Sequence, residues 1–291
     1  MNAISQEGTL EGESRNQRFT PGPLSVVVPA YNEHQTITQV VDRLLKLEVV
    51  GEVIVVDDGS AEATRQALTQ LSTDGRVRVL HHHQNRGKGA ALRSGFAAST
   101  GQVVAVQDAD FEYRPEDLPS IIQPILSGEA DVVYGSRELG SRYHGSPWLR
   151  KAANRSLTWL SNRMTGLNLS DMETGCKAFS REVVDTLTIE EDRFGVEPEL
   201  TAKVAAMGCR VTEKPISYLP RSYQEGKKIG VRDGLRAVWC IALYSRRRSA
   251  RRAPAYGELT GQDEQTPSHL RMNGFSVRQI FSIRIGRTRW R

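Results

Sequence analysis

From Leu24 onward, short apolar runs alternate with longer stretches in which apolar residues recur every three or four positions. "LSVVV", "VIVV" and "VVAV" are rich in β-branched residues and free of charge, the pattern of strands covered on both faces of a parallel sheet. Strands are expected at 24–28, 52–56, 76–81, 102–107 and 131–134, and helices near 34–47, 61–71, 88–99 and 115–126. That alternation predicts an α/β fold, a mostly parallel sheet flanked by helices with a Rossmann-like first half, whose ligands bind at the carboxyl ends of the strands. Residues 1–23 are polar and rich in Gly, Glu and Ser, and are expected to be disordered.

Three of the expected strand tips are polar: "PAYNE" after the first strand, "DDGS" after the second and "DADFE" after the fourth. In extended chain alternate side chains share a face, so Asp108, Asp110 and Glu112 would converge just past the fourth strand. Three such carboxylates repel one another. A hard divalent ion, Mg²⁺ or Mn²⁺, relieves the repulsion through oxygen ligands and keeps positions open for substrate phosphates. A lone D-x-D is more often a solvated turn, and "DDGS" alone reads as a turn with Ser60 capping the next helix. Three polar tips on one sheet edge outweigh those separate explanations. "NRGKGAALRSG" departs from both Gly-rich nucleotide signatures, because Leu92 replaces a glycine of one and Gly89 follows Lys88 where the other needs Ser or Thr. It is expected to be a tight turn into a helix, with Lys88 and the helix N-terminus facing phosphate. His81 to His83 occupy consecutive positions that face opposite ways, so structural or surface histidines are expected there.

Composition narrows the class. The 291 residues are 38% hydrophobic and 25% charged, enough for one globular domain with appendages. Cys176, Cys209 and Cys240 lack metal-ligand spacing and sit in apolar segments, so free core thiols in a reducing compartment are expected. Of the net charge of +5, residues 246–291 supply +8, with eleven Arg against Glu258, Asp263 and Glu264; the rest of the chain is at −3. A core of that sign does not suggest nucleic-acid binding. No apolar run approaches the roughly twenty residues that span a bilayer, and the amino terminus lacks the apolar stretch of a signal peptide, so a cytoplasmic protein is expected.

Seven motifs in order, "VVVPAYNE", "VIVVDDGS", "NRGKGAALRSGFAASTG", "VQDADFEYRPEDLP", "DVVYGSR", "DMETGCKAF" and "RSYQEGKK", resemble the family 2 inverting nucleotide-sugar glycosyltransferases of GT-A fold. The likeness is greatest to the dolichol-phosphate mannosyltransferase group and its bacterial polyprenyl-phosphate relatives, and covers residues 24–245. The resemblance implies that Pro29, Tyr31, Glu33, Val56 and Asp58 form the pocket for base and ribose, and that Asp108, Ala109 and Asp110 are the D-x-D. Glu112 stands where relatives often carry another metal-ligand side chain. Arg137, Arg221 and Lys227 match basic residues that hold the diphosphate or the acceptor phosphate. Lys177 stands where many relatives have Arg, which keeps the charge and loses the bidentate fork.

The expected function is therefore metal-dependent, inverting transfer of a sugar from a UDP- or GDP-sugar to a polyprenyl phosphate, resting on Asp108, Asp110, Arg221 and Lys227. A phosphate monoester is already mostly ionised near neutral pH and needs no base. Were the acceptor a hydroxyl of a polysaccharide or small molecule, Asp171, Glu173, Asp192 and Glu197 would be the candidate bases, although Glu197 and Glu199 also suit a helix start beside Pro198. A non-catalytic sugar-nucleotide-binding protein is the rival from another class. The chain is expected at the inner face of the cell membrane, by peripheral contact or through a membrane partner subunit. The junction "DGLRAVWCIALYSRRRSARR" suits an interfacial helix over 234–244 followed by arginines on lipid headgroups; alternatively Trp239, Ile241 and Leu243 pack on the core. Residues 246–291 are expected to form a separate Arg-rich tail.

Overall fold

A computed structural model of the chain describes residues 22–71, 73–140, 148–220 and 231–250. The expected disordered segment and most of the expected Arg-rich tail lie outside the described residues, as do Arg221 and Lys227.

Among the described residues seven strands form one sheet: β1 (Leu24–Ala30), β2 (Val50–Asp57), β3 (Val77–His81), β4 (Val103–Val106), β5 (Val132–Ser136), β6 (Lys177–Ser180) and β7 (Val211–Pro215). Their order is β3-β2-β1-β4-β6-β5-β7. β6 runs antiparallel to both of its neighbours, and every other pair is parallel. The carboxyl ends of the six parallel strands thus share an edge with the amino end of β6, where Lys177 pairs with both Val106 and Tyr134. This is the expected α/β architecture with one reversal that the sequence pattern did not reveal.

Helices α1 (Ile37–Leu45), α2 (Glu62–Leu71) and α4 (Leu118–Leu126) cover one face. The other face receives α3 (Lys88–Ala98), α5 (Trp148–Thr165), α6 (Arg181–Thr186), α7 (Val196–Ala206) and part of α8 (Val231–Ala250). Alternation along β1 divides its side chains between these layers, Val26 and Val28 into the first and Val27 into the second. Gly95 lets α3 lie directly on β1, since a Cβ there would stand 2.2 Å from Val27 Cγ1.

The five strands and four helices read from periodicity all exist, with boundaries shifted by a few residues. One such shift is at α1, expected from 34 and found from Ile37. Residues 33–36 instead make a turn in which the amides of Thr36 and Ile37 both bond to Glu33 O. The Thr36 hydroxyl donates across the edge to Ala109 O at 2.8 Å, so the polar tips of β1 and β4 are tied together. α8 runs on to Ala250, through the position where the tail was expected to begin.

Candidate active site

Each polar tip has a defined job at the sheet edge. After β1, Pro29 and Glu33 are half-buried and Tyr31 is exposed. Asn32 takes a left-handed conformation, φ 61°, which an asparagine tolerates. Its amide donates to Ser60 Oγ at 3.0 Å and its Oδ1 accepts from Ala61 N at 2.8 Å, fastening the β1 tip to the β2 tip. Val56 is buried within β2. Burial acts to raise the Asp57 carboxyl, but hydrogen bonds from Ser60 and His81 outweigh it and hold the group below its usual value. Asp58 is buried as well; it accepts from the amides of Arg86 at 2.9 Å and Gly87 at 2.6 Å and meets His82 Nδ1 at 2.7 Å. Asp58 therefore anchors the loop into α3, and His81 and His82 act as structural partners of Asp57 and Asp58.

The expected convergence of three carboxylates after β4 does not occur. The premise was an extended chain, whereas β4 stops at Val106 and residues 109–112 bend. Asp110 Oδ1 accepts from Glu112 N at 2.9 Å, closing a local turn. Glu112 turns to the Tyr218 hydroxyl at 3.2 Å. Asp108 turns the other way, its Oδ1 2.8 Å from Lys88 Nζ. Among the described residues no three His, Cys, Asp or Glu side chains are grouped as a metal site. Asp108 and Asp110 still present half-buried hard oxygen donors on one turn of the edge, the donor type and number with which Mg²⁺ is commonly held alongside substrate phosphates.

Lys88 is more deeply involved than the sequence suggested. Besides Asp108 it meets Glu197 Oε1 at 3.1 Å, and Glu197 Oε2 accepts from Lys177 Nζ. The result is a buried chain of alternating charge, Asp108, Lys88, Glu197 and Lys177, joining the β4 tip to α3, α7 and β6. Burial acts to lower the Lys88 ammonium, and Asp108 and Glu197 more than reverse it, so Lys88 stays charged. Burial likewise acts to raise Glu197, and Lys177 and Lys88 hold it below its usual value. Lys177, expected among the substrate-binding residues, is instead turned inward: its side chain is 1% exposed and its ammonium is committed to Glu197 and Thr174 O, over the Tyr134 ring. Reversal of β6 buries it, and no local signal announced that.

Arg137, one residue past β5, forms a fork with Asp171, Nε to Oδ2 and Nη2 to Oδ1, both at 2.6 Å, and lies over the Tyr218 ring. Burial acts to raise Asp171 and the Arg137 charge holds it down. Between this pair and the lysine chain runs the loop 171–176. Its Gly175 amide donates to the Tyr113 hydroxyl at 3.1 Å, and a Cβ on Gly175 would stand 2.4 Å from Asp108 Oδ2. The candidate base Asp192 pairs with Arg93, and Glu199, at the helix start, accepts from the amides of Glu190 and Glu191 and pairs with Lys203. The three thiols are buried and unbridged, and burial pushes each up to about 12, which makes them inert.

A mixed α/β sheet with acidic and basic side chains gathered at the carboxyl ends of its parallel strands defines a nucleotide-binding enzyme class. Comparison with known proteins specifies it. The family description "Glycosyl transferase family 2" matches residues 25–188, and the chain belongs to that family. It is 32% identical over 212 residues to the undecaprenyl-phosphate mannosyltransferase of Micrococcus luteus, covering 70% of this chain and 86% of that protein. It is 29% identical over 214 residues to the polyprenol monophosphomannose synthase of Mycolicibacterium smegmatis, covering 70% and 80%. In fold it is similar to glucosyl-3-phosphoglycerate synthase from Mycobacterium tuberculosis, solved with Mn²⁺, UDP and phosphoglyceric acid, with a TM-score of 0.61 at 23% identity over 77% of this chain and 78% of that one. The protein is a nucleotide-sugar-dependent glycosyltransferase of GT-A fold.

Proposed function

We propose that the enzyme transfers a sugar from a UDP- or GDP-sugar to a polyprenyl phosphate, with inversion and with a divalent ion, Mg²⁺ or Mn²⁺, at the membrane surface. The observation that carries this is the position of Asp108 and Asp110 at the β4 tip, with Asp108 bonded into the lysine–carboxylate chain through Lys88. Relatives 29–32% identical over 212–214 aligned residues are named for transfer to undecaprenyl phosphate or for making polyprenol monophosphomannose, which supports the acceptor class.

Each side chain has a role in this reading. Tyr31, Pro29 and Glu33 line the side where base and ribose lie, the buried Val56 backs it within β2, and Asp58 braces that wall through the α3 loop. Asp108 and Asp110 would hold the ion, which when bound would supply positive charge to a departing diphosphate. Lys88 keeps Asp108 in place and offsets its charge. Arg137, set by Asp171, together with Arg221 and Lys227, which follow Tyr218 in the sequence, neutralises phosphate charge as it develops. Displacement by an already ionised phosphate oxygen inverts the sugar carbon in one step and calls for no protein base.

The surface contact is supported by α8, which leaves Leu235 68% and Trp239 48% exposed just before the arginines at 246–248, and by α5, which leaves Trp148 and Trp159 exposed. No helix among the described residues is long and apolar enough to cross a membrane.

The decisive test offers a panel of UDP- and GDP-sugars with labelled polyprenyl phosphate, with and without EDTA, and reads product in the organic phase. One donor should give product, EDTA should abolish it and Mg²⁺ or Mn²⁺ should restore it. Turnover that survives both EDTA and Asp110→Ala would remove the ion from the mechanism, and transfer only to a soluble hydroxyl would replace the acceptor.

A further inference from the structure

Glu173 lies in the loop 171–176, between two charged assemblies that are already balanced. On one side Arg137 is matched by Asp171; on the other Lys177 and Lys88 are matched by Glu197 and Asp108. Glu173 adds an acid to this set, and its Oε1 is buried without a hydrogen-bond partner among the described residues. Two residues further on, Gly175 rests against Asp108, so the loop forms the floor beside the D-x-D.

We propose that Glu173 recognises a hydroxyl of the sugar being transferred, a specificity-determining contact of the donor site. The inference rests on the nucleotide-sugar reading above and adds to it the group that reads the sugar. A buried carboxyl oxygen without a partner is costly, and the cost is removed by a donor that arrives with the substrate. A phosphate, which near neutral pH has no proton to give and repels a carboxylate, cannot be that donor. A sugar hydroxyl can, because it donates a hydrogen bond and carries no charge.

Protonation gives the proposal a signature. Burial first, and the charge of Glu197 on α7 second, push the Glu173 carboxyl up to about 7, against the opposing pull of Lys177 on β6 and Arg137 beyond β5; Asp171 in its own loop pushes it further up. Near neutral pH the free enzyme therefore holds Glu173 partly protonated. A hydroxyl that donates to the carboxylate favours the ionised form, so a bound sugar expels the proton. The nucleoside diphosphate alone leaves it in place.

The test is calorimetry on the full chain with Mg²⁺ at pH 7, in two buffers of different ionisation enthalpy. UDP, GDP and a panel of UDP- and GDP-hexoses are the probes. One hexose nucleotide should bind with release of about half a proton, a release absent for its parent diphosphate. Glu173→Gln, isosteric and expected to fold, should bind the same diphosphate equally well with no extra proton release when the hexose is attached. Glu173→Ala should weaken the hexose nucleotide about tenfold and leave the diphosphate unchanged. Equal proton release from wild type and Glu173→Gln overturns the proposal, as does a hexose nucleotide whose affinity ignores both substitutions. If wild type binds none of the nucleotides, the donor reading itself falls, and this inference with it. Binding of the diphosphates with no hexose discrimination overturns the Glu173 role alone.

Discussion

Asp108 is fixed by contacts from residues distant in sequence: Lys88 grips one oxygen, and the missing side chain of Gly175 leaves room for the other. Of the residues at the edge, Gly175 is the most diagnostic, because the atom a Cβ would strike is the end of a movable side chain. Gly175→Ala should therefore fold with a melting temperature close to wild type while displacing the Asp108 carboxylate and lowering turnover by roughly tenfold to a hundredfold. Thermal melts and steady-state assays on the same preparation check both halves. An unchanged turnover would mean that the Asp108 carboxylate need not stay where Lys88 holds it. D-x-D and Gly175 were both visible in the sequence; that they touch was not, because 67 positions separate Asp108 from Gly175.

At the scale of one element, α8 combines two faces that the sequence had set against each other. Ala237, Cys240, Ile241 and Tyr244, at helical spacing, are buried, while Leu235, Val238 and Trp239 are exposed. Ile241 and Leu243 lie on the core side, and Trp239 lies under the Arg236 guanidinium, 4.3 Å from its ring centre; Arg236 in turn grips Glu191. The faces should separate by mutation. Ile241→Ala should destabilise the fold by about 2–4 kcal/mol in denaturant titrations. The pair Leu235→Glu and Trp239→Glu should change stability by no more than about 1 kcal/mol and still reduce binding to anionic vesicles several-fold in sedimentation. Vesicle binding indifferent to that pair would move the membrane contact off α8.

Across the whole molecule, pH acts with two signs. Glu52, Asp57, Asp171 and Glu197 have carboxyls held below their usual values, so the stability they contribute is complete above about pH 4.5 and lost as pH falls through their folded values. Glu173 and Glu213 are raised by burial, so their contribution is complete below about pH 4 and lost as pH rises, through about 7 for Glu173. The melting temperature should therefore peak between about pH 5 and 6 and decline on either side. Glu173→Gln should flatten part of the alkaline decline and leave the acid limb unchanged. Melts from pH 3.5 to 8.5 measure this, and identical alkaline limbs would show that Glu173 ionises at its ordinary value.

The sequence by itself determined the first half of the sheet, the helices between its strands and the edge on which the chemistry gathers. Those features are written in local periods of two and about 3.6 residues, and an uncharged β-branched run such as Val53 to Val56 has few other uses. It also determined that the thiols are free, since their spacing and apolar settings are local facts. Only the tertiary structure decided that the four-residue strand β6 runs backwards and that Lys177 at its start is buried against Glu197. It alone decided that Asp110 closes a turn, that Lys88 meets Glu197 across 109 positions, and that Glu173 is left with a buried oxygen without a hydrogen-bond partner among the described residues. The reason is physical: a local pattern reports which face of an element is buried, whereas the state of a charged side chain depends on which distant charges the fold brings to it.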